Sequence, residues 1–353
     1  MNKNNNFDSN GRLEWIDVLK CIVMYLVVVG HAIPVDQNTN LGWYIYSFHM
    51  PLFFIISGMT FSLQCSKKSF TLHSLAINKT KSILWPYIAF SLLALPLWLF
   101  NFRVISRDSE RRILELLYGI LYSNEEEITS TSNAMWFLPT LFLAIIAFWI
   151  IMKWSKNNDK YLILMVGIIA CFGYANSIRI SEFYSPWHID TVPIAILCLM
   201  IGWLLMKYIE QFNRLIGDTK RQIMLVILLI ATSFIFARMN DRISMALNTY
   251  GSFLLFLLVV VGFGTVCIII AKWLPPLSIF KFIGRNTVVI LAFHSPIFRT
   301  LERWSETTKI MIYDYPVITA TLVFILLIPV CWIVEKCLPF LLGRPYGKFA
   351  KSK

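Results

Sequence analysis

Residues 253–271 read FLLFLLVVVGFGTVCIIIA, a run of nineteen residues without a charge. An α-helix rises about 1.5 Å per residue, so this run nearly spans a bilayer's hydrocarbon core of about 30 Å. Similar runs recur along the chain, and its mean hydropathy is +0.65. Only 15% of the 353 residues are charged, against about 25% in soluble domains. These features predict an all-α polytopic membrane protein, because helices satisfy their backbone polar groups within lipid.

The apolar runs predict about ten transmembrane helices. The predicted ranges are 15–34, 45–63, 83–102, 134–152, 161–176, 190–207, 222–238, 252–272, 283–298 and 315–336. The ninth run is short for a full crossing, and no cleavage site follows the first, so that run is expected to stay as a span. The chain thus divides into a tail at 1–14, a membrane domain at 15–338 and a basic tail at 339–353. The loop at 103–133 is expected to carry a short amphipathic helix on the membrane surface.

Lysine and arginine are distributed unevenly among the loops. If the N-terminus is cytoplasmic, 21 of the 32 basic residues fall on cytoplasmic segments and 10 on the opposite side, with Lys20 inside the first helix. Cytoplasmic loops of membrane proteins are enriched in these residues. Both termini are therefore predicted to be cytoplasmic, in agreement with an even number of helices. The same bias accounts for the net charge of +12 without a nucleic-acid partner.

The seven cysteines form no CxxC pair, and most of them lie within apolar runs. Cysteine often serves as a small apolar side chain in a buried helix. We therefore expect neither a disulfide framework nor a zinc site, and no other metal.

The first predicted helix carries three titratable residues, Asp17, Lys20 and His31. Such residues are costly inside a membrane, which makes them functional candidates. Asp17 and Lys20 share a helix face and can partly neutralise each other, although a snorkelling interfacial pair is an alternative. His31 follows Lys20 by eleven residues, about three turns, so the two point in similar directions. Histidine is the usual general base for a hydroxyl, but a lone histidine in a helix also serves as a structural hydrogen-bonding group.

The second helix begins with a histidine, His49, followed by Pro51, which suits a first helical turn. A short loop joins the first two helices, so antiparallel packing is expected to bring His31 and His49 to a similar depth. Ser57 and Gly58 permit close contact with a neighbouring helix, and this is their simpler interpretation.

Further polar candidates lie at the ends of later helices. Lys79 and Lys81 precede the third helix and suit the phosphates of coenzyme A, although the positive-inside rule also explains them. Trp136 begins the fourth helix, either as an interfacial anchor or as a platform for a sugar ring. In the ninth helix, His294 follows Asn286 by eight residues; a structural histidine is the simpler interpretation of His294.

Together these segments resemble the membrane acyltransferase-3 family, most closely its fucose 4-O-acetylase-like branch, over nearly the whole chain. The segments that carry the resemblance are Trp15-Ile16-Asp17-Val18-Leu19-Lys20 with His31, Ser47 to Gly58, the basic stretch before Pro86, Trp136-Phe137-Leu138, and Gly284 to His294. The first two helices match best. The resemblance implies a ten-helix core that transfers acyl groups, commonly acetyl from acetyl-CoA, to surface carbohydrates. The family usually has Arg where Lys20 stands, eleven positions before its essential histidine, and an arginine pair where Lys79 and Lys81 stand with different spacing.

The resemblance implies an O-acetyltransferase of the bacterial inner membrane that modifies a polysaccharide or its lipid-linked precursor. His31 is expected to act as a general base or in an acyl relay with support from His49, while Lys20, Lys79 and Lys81 hold acetyl-CoA. The expected substrate-binding residues are Asp17, Trp136, Asn286 and His294.

Two alternatives belong to other classes. A transporter or flippase of glycolipid intermediates also places charges within the membrane, but the chain shows neither an internal repeat nor paired interrupted helices. The His-x4-Asp spacing of His31 and Asp36 occurs in glycerolipid acyltransferases, which act on the cytoplasmic side. Asp36 falls in the outer loop, so we interpret this match as chance.

Overall fold

The computed structural model describes residues 12–33, 39–103, 117–123, 133–179, 185–308 and 315–345. This part of the chain is built from α-helices, which we number in chain order. They are α1 Glu14–Ala32, α2 Asn40–Tyr46, α3 His49–Lys67, α4 Leu72–Lys79, α5 Trp85–Arg103, α6 Phe137–Trp154, α7 Asp159–Arg179, α8 Val192–Lys207, α9 Ile209–Ile216, α10 Thr219–Met239, α11 Phe253–Trp273, α12 Ser278–Arg285, α13 Thr287–Thr308 and α14 Pro316–Cys337. A π-helical turn, Thr80–Leu84, joins α4 to α5.

Within the described residues, eight helical segments are long and apolar enough to cross a membrane. Seven of them contain α1, α3, α6, α7, α8, α10 and α11, and the eighth is α14. The prediction of a polytopic helical membrane protein is confirmed to this extent. The other two predicted spans correspond to α5 and to α13, whose apolar part, Thr287–Leu301, is shorter than a full crossing. The number ten therefore stays a prediction.

Helix α1 occupies the centre of the bundle. It contacts α3, α11, α12, α13 and α14, and 72% of its most apolar 18-residue stretch is buried within the protein. By contrast, only 17% of the corresponding stretch of α10 is buried, and only 28% of the corresponding stretch of α7. These two helices expose large apolar side chains, which is the arrangement expected where the neighbouring medium is lipid. The central position of α1 puts Lys20 and His31 inside the protein.

Two glycines bring α3 and α8 into backbone contact. A Cβ atom added to Gly58 would lie 2.0 Å from the carbonyl oxygen of Leu199, and one added to Gly202 would lie 1.8 Å from that of Ile55. Small residues allow this approach, on which helix association within a membrane depends. The interpretation of Gly58 as a helix contact is confirmed. Pro51 lies in the first turn of α3, as predicted.

The predicted amphipathic helix at 103–133 lies mostly outside the described residues, which include a short helical segment at 117–122. The N-terminal tail and residues 346–353 of the basic tail likewise fall outside the described part, apart from residues 12–14.

Candidate active site

One face of α1 lines two cavities. Lys20 and Met24 line the first, which we call the Lys20 cavity, and Val27 and His31 line the second, the His31 cavity. Successive residues of this set are four, three and four positions apart, which is the spacing of a single helix face. The predicted alignment of Lys20 and His31 along α1 is therefore confirmed, and both side chains reach enclosed space.

The Lys20 cavity has a volume of about 160 Å³ and mostly apolar walls. Besides Lys20, its polar lining consists of four hydroxyl side chains. These are Ser57, Thr60, Ser82 and Thr287. Ser57 is therefore more than a helix-contact residue, although its hydroxyl donates to the Phe53 carbonyl at 2.8 Å. A cation among hydroxyl groups suits an anionic or strongly polar ligand with an apolar extension.

Lys79 is buried at the end of α4, next to the π-helical turn that contributes Ser82 to the Lys20 cavity. Its ammonium group donates to Gln64 Oε1 at 2.8 Å and lies 5.3 Å from the centre of the Phe61 ring. Burial lowers the pKa of Lys79 to about 8, and the positive charge of Lys20 contributes to the same shift. Single π-helical turns are frequent at functional sites. Lys81, by contrast, is exposed.

The His31 cavity is larger, about 400 Å³, and brings together three of the nine predicted site residues. It is lined by His31, His49 and Trp136, together with Tyr46, whose ring centre lies 6.2 Å from that of His31 and 5.0 Å from that of His49. The prediction that the two histidines lie at a similar depth is confirmed. A volume of this size accepts a small organic ligand such as a sugar residue.

Two of the histidines are held by backbone carbonyls one turn earlier. His49 Nδ1 lies 2.7 Å from the Ile45 carbonyl and His294 Nδ1 lies 2.8 Å from the Ile290 carbonyl. A carbonyl only accepts, so Nδ1 carries the proton in each ring and Nε2 of the neutral ring is left as an acceptor. The His294 ring is buried against His31, with ring centres 4.8 Å apart.

The short helix α2 sets the position of Tyr46. Thr39 caps it by accepting a hydrogen bond from the Gly42 backbone N–H at 3.2 Å. The absence of a side chain at Gly30 allows α2 to pack on the end of α1, because a Cβ atom there would lie 3.2 Å from a methyl of Ile45. This packing places the Tyr46 ring between the two histidines.

Met50 lines both cavities, and among the described lining residues it is the one that the two cavities share. It belongs to the first turn of α3, directly after His49. The two cavities are thus neighbours, and the Met50 side chain is part of the wall between them.

Three of the four predicted substrate-binding residues, Asp17, Asn286 and His294, are not among the lining residues of either cavity. Asp17 accepts from Arg285 Nε at 2.9 Å, a partner that the sequence analysis did not predict. Gly284 permits this, because a Cβ atom there would lie 2.0 Å from the Asp17 carbonyl oxygen. Asn286 is buried and donates to the Phe282 carbonyl at 3.0 Å. Asp17 thus links α1 to α12, and Asn286, which also donates to Glu335, links the end of α12 to α14.

The loop between α10 and α11 adds residues that the sequence analysis missed. Arg242 of this loop lines the His31 cavity, and its guanidinium carbon lies 5.3 Å from the centre of the Tyr46 ring. From the sequence, Arg242 appeared only as a charge in an outer loop, and no local pattern indicated its contact with Tyr46.

A fourth histidine, His188, supports the wall of the cavity. It is 2% exposed, and its ring centre lies 4.9 Å from that of Trp136. Trp187 and His188 both have positive φ angles, 54° and 48°, which residues other than glycine adopt only at a cost in conformational energy. No local pattern in the sequence indicated the contact of His188 with Trp136, which lies 52 positions earlier in the chain.

The family model described as an acyltransferase domain, that of the acyltransferase-3 family, matches residues 13–336. No curated protein and no solved structure matches the chain. The matched range contains every residue that lines either cavity.

Proposed function

The chain belongs to the acyltransferase-3 family and is a membrane acyltransferase, and from this premise we propose that it transfers acetyl from cytoplasmic acetyl-CoA to a hydroxyl of a cell-surface polysaccharide or its lipid-linked precursor. The family match covers nearly the whole chain and supports the reaction type. The proposed cell compartment is the bacterial inner membrane, with both termini in the cytoplasm. The fucose 4-O-acetylase-like branch is proposed from the motifs of the first two helices.

The observation that carries the proposal is the pair of adjoining cavities along one face of α1. A cation lies in one cavity and an imidazole in the other, eleven residues apart, or about 16 Å along the helix axis. A donor that enters at Lys20 and an acceptor that enters at His31 would meet near Met50. This arrangement suits a reaction whose two substrates come from opposite sides of a membrane.

In the proposed reaction, the acceptor hydroxyl in the His31 cavity attacks the thioester carbonyl of acetyl-CoA. His31 removes the hydroxyl proton as the new carbon–oxygen bond forms. The carbon–sulfur bond then breaks, and the proton passes from the imidazole to the departing thiolate of coenzyme A. A neutral imidazole suits these two proton transfers. The pKa of imidazole in water lies near the working pH, so the ring can both accept a proton and return it.

The neighbours of His31 support this role. His294 packs against its ring, and Tyr46 lies between it and His49. The free acceptor nitrogen of His49 is available to hold the acceptor hydroxyl or a neighbouring hydroxyl of the same sugar. In the alternative acyl relay, His31 itself accepts the acetyl group from the thioester and passes it on. Trp136, backed by His188, offers an aromatic face for a sugar ring.

On the donor side, Lys20, Lys79 and Lys81 are proposed to bind the phosphates and carbonyls of acetyl-CoA. Lysine contacts phosphate as a point charge, so replacement of the family's arginines preserves the charge but not the bidentate geometry. The small, mostly apolar Lys20 cavity would then receive the acetyl and pantetheine end.

We expect the KM for acetyl-CoA to rise by about tenfold between pH 7 and pH 9. Lysine is charged below its pKa, and burial lowers the pKa of Lys79 to about 8. Lys79 therefore loses its proton over this range, whereas an ordinary lysine stays charged. Initial rates at several pH values would measure the effect. Lys79→Arg is the matched control, because arginine stays charged throughout and its KM profile should be flat. A parent profile as flat as that of Lys79→Arg would exclude Lys79 from donor binding.

Met50→Trp should lower acetyl transfer by about 100-fold, because a larger side chain between the cavities keeps the reacting groups apart. Binding of acetyl-CoA to the purified variant should remain close to that of the parent, which also shows that the variant folds. Met50→Leu, with a side chain of similar volume, should keep most of the activity. If a folded Met50→Trp variant transferred acetyl at the parent rate, the reaction would not take place at the junction of the two cavities.

The proposal is tested directly with radiolabelled acetyl-CoA and purified membranes that contain the protein. Label should appear in a glycan or glycolipid, and NMR spectra of surface glycans should lose O-acetyl signals when the gene is deleted. Glycolipid movement without label transfer would favour the transporter or flippase alternative instead.

A further inference from the structure

Arg242 lines the His31 cavity, and the proposed reaction does not use its positive charge. It reaches the cavity from the loop between α10 and α11, and the face of Tyr46 lies beneath its guanidinium group at 5.3 Å. Tyr46 in turn contacts His31 and His49. A single aromatic ring therefore separates this cation from both histidines. Cation–π contact orients a guanidinium without neutralising it.

The loop that carries Arg242 is held at several points. Asn240 bridges its ends, donating to the Tyr250 carbonyl at 3.0 Å and accepting from the Ser252 backbone N–H at 2.7 Å. The Thr191 hydroxyl donates to the Met245 carbonyl at 2.9 Å, which ties the loop to the start of α8. Arg242 is thus presented by a braced segment, as expected of a group that recognises a ligand.

The described residues that line the His31 cavity include no carboxylate. Among the described residues, none is an ion-pair partner of Arg242, whereas Asp17 and Asp159 are paired with other cations. The other polar side chains among the described lining residues carry no negative charge; they are His31, Tyr46, His49, Trp136, Ser244 and Thr249. The described lining of the cavity therefore carries a net positive charge, which a bound anion would balance.

We infer that the acceptor carries an acid group, which Arg242 binds while a neighbouring hydroxyl reaches His31. This inference rests on the proposed function, and it narrows the acceptor class to anionic glycans. A guanidinium group matches a carboxylate or a phosphate through two parallel hydrogen bonds. The acid oxygen belongs either to an acidic sugar or to the phosphate that links a glycan to its lipid carrier.

The first arm of the test measures binding to the purified protein in lipid nanodiscs, by calorimetry. The ligands are methyl glucuronide against methyl glucoside, methyl galacturonide against methyl galactoside, and glucose 1-phosphate. The parent should bind the acid member of a pair about tenfold more tightly than the neutral member, in line with one charged hydrogen-bonded contact. Preference for a uronide indicates an acidic sugar, and preference for glucose 1-phosphate alone indicates the lipid-linked phosphate.

The variants separate recognition from folding. Arg242→Gln should abolish the preference by weakening acid binding alone, and Arg242→Lys should restore part of it. Arg238→Gln is the matched control, because Arg238 stacks on Trp43 and does not line the cavity. If Arg242 only maintained the structure of the cavity, Arg242→Gln would lower the affinity for neutral and acid ligands alike. Equal affinity for both members of every pair, or a preference that survives in Arg242→Gln, overturns the inference.

The second arm measures acetyl transfer to the same ligands. If acid sugars bind through Arg242 but accept no acetyl group from acetyl-CoA, the proposed function fails while the anion site stands. If neutral sugars are acetylated as efficiently as acid ones, the acetyltransferase proposal stands and the anion site fails.

Discussion

His31→Ala should reduce acetyl transfer by about 10²- to 10⁴-fold, the contribution of a positioned general base. The variant loses the imidazole at the junction of α1 with the His31 cavity, while the packing of α1 stays, because His31 is only partly buried and its neighbours Gly30 and Ala32 face the core. The measurement is the rate of label transfer from acetyl-CoA by purified protein, normalised to the amount of correctly inserted protein.

The chain offers a matched control in His73, an exposed histidine of α4 that lines neither cavity. His73→Ala should transfer acetyl at the parent rate. A His31→Ala variant that remains folded and as active as His73→Ala would remove His31 from the reaction. In that case His49, whose Nε2 is an available acceptor in the same cavity, becomes the candidate base.

Gly202→Ala should destabilise the protein by about 3 kcal/mol, the upper range for an overpacked core. The added methyl carbon would lie 1.8 Å from the Ile55 carbonyl oxygen, far inside van der Waals contact, and this obstacle is backbone that no rotamer change can move. Helices α3 and α8 would have to separate along their closest contact. Thermal unfolding in detergent, followed by size-exclusion chromatography, should show a midpoint lowered by about 5 °C or more.

Gly167 provides the control for this prediction. It lies within α7, and a Cβ atom added there would meet nothing within 4 Å. Gly167→Ala should leave the unfolding midpoint unchanged or raise it slightly, since alanine is favoured over glycine in a helix by about 1 kcal/mol. Equal behaviour of the two variants would show that α3 and α8 do not pack as described.

Much of the architecture was predictable from the sequence because each transmembrane segment is a local property. Apolar runs of membrane length appear in the sequence itself, and the eleven-residue spacing of Lys20 and His31 places them on one helix face before any packing is known. Pro51 likewise indicates a helix start by its own covalent geometry. The family resemblance follows from the same local motifs, chiefly in the first two helices.

Contacts between distant segments were not predictable in this way. Asp17 and Lys20 are near neighbours in sequence, which favoured their pairing, but the structure brings Arg285 to Asp17 from α12. Asn286 donates to Glu335 of α14, 49 positions along the chain, while its role in substrate binding stays a prediction. Arg242 and Tyr46 lie far apart in the chain, and only the packing of the loop after α10 over α2 brings them together.

The sequence alone therefore determined that the chain forms membrane helices, and which residues share the polar face of α1. Only the tertiary structure decided that this face lines two adjoining cavities, with Met50 between them. It also placed beside the histidines an arginine that has no ion-pair partner among the described residues. The physical reason is that helix formation depends on backbone hydrogen bonds within one segment. A cavity depends on which side chains of several segments leave space unfilled, and that is settled when all of them pack.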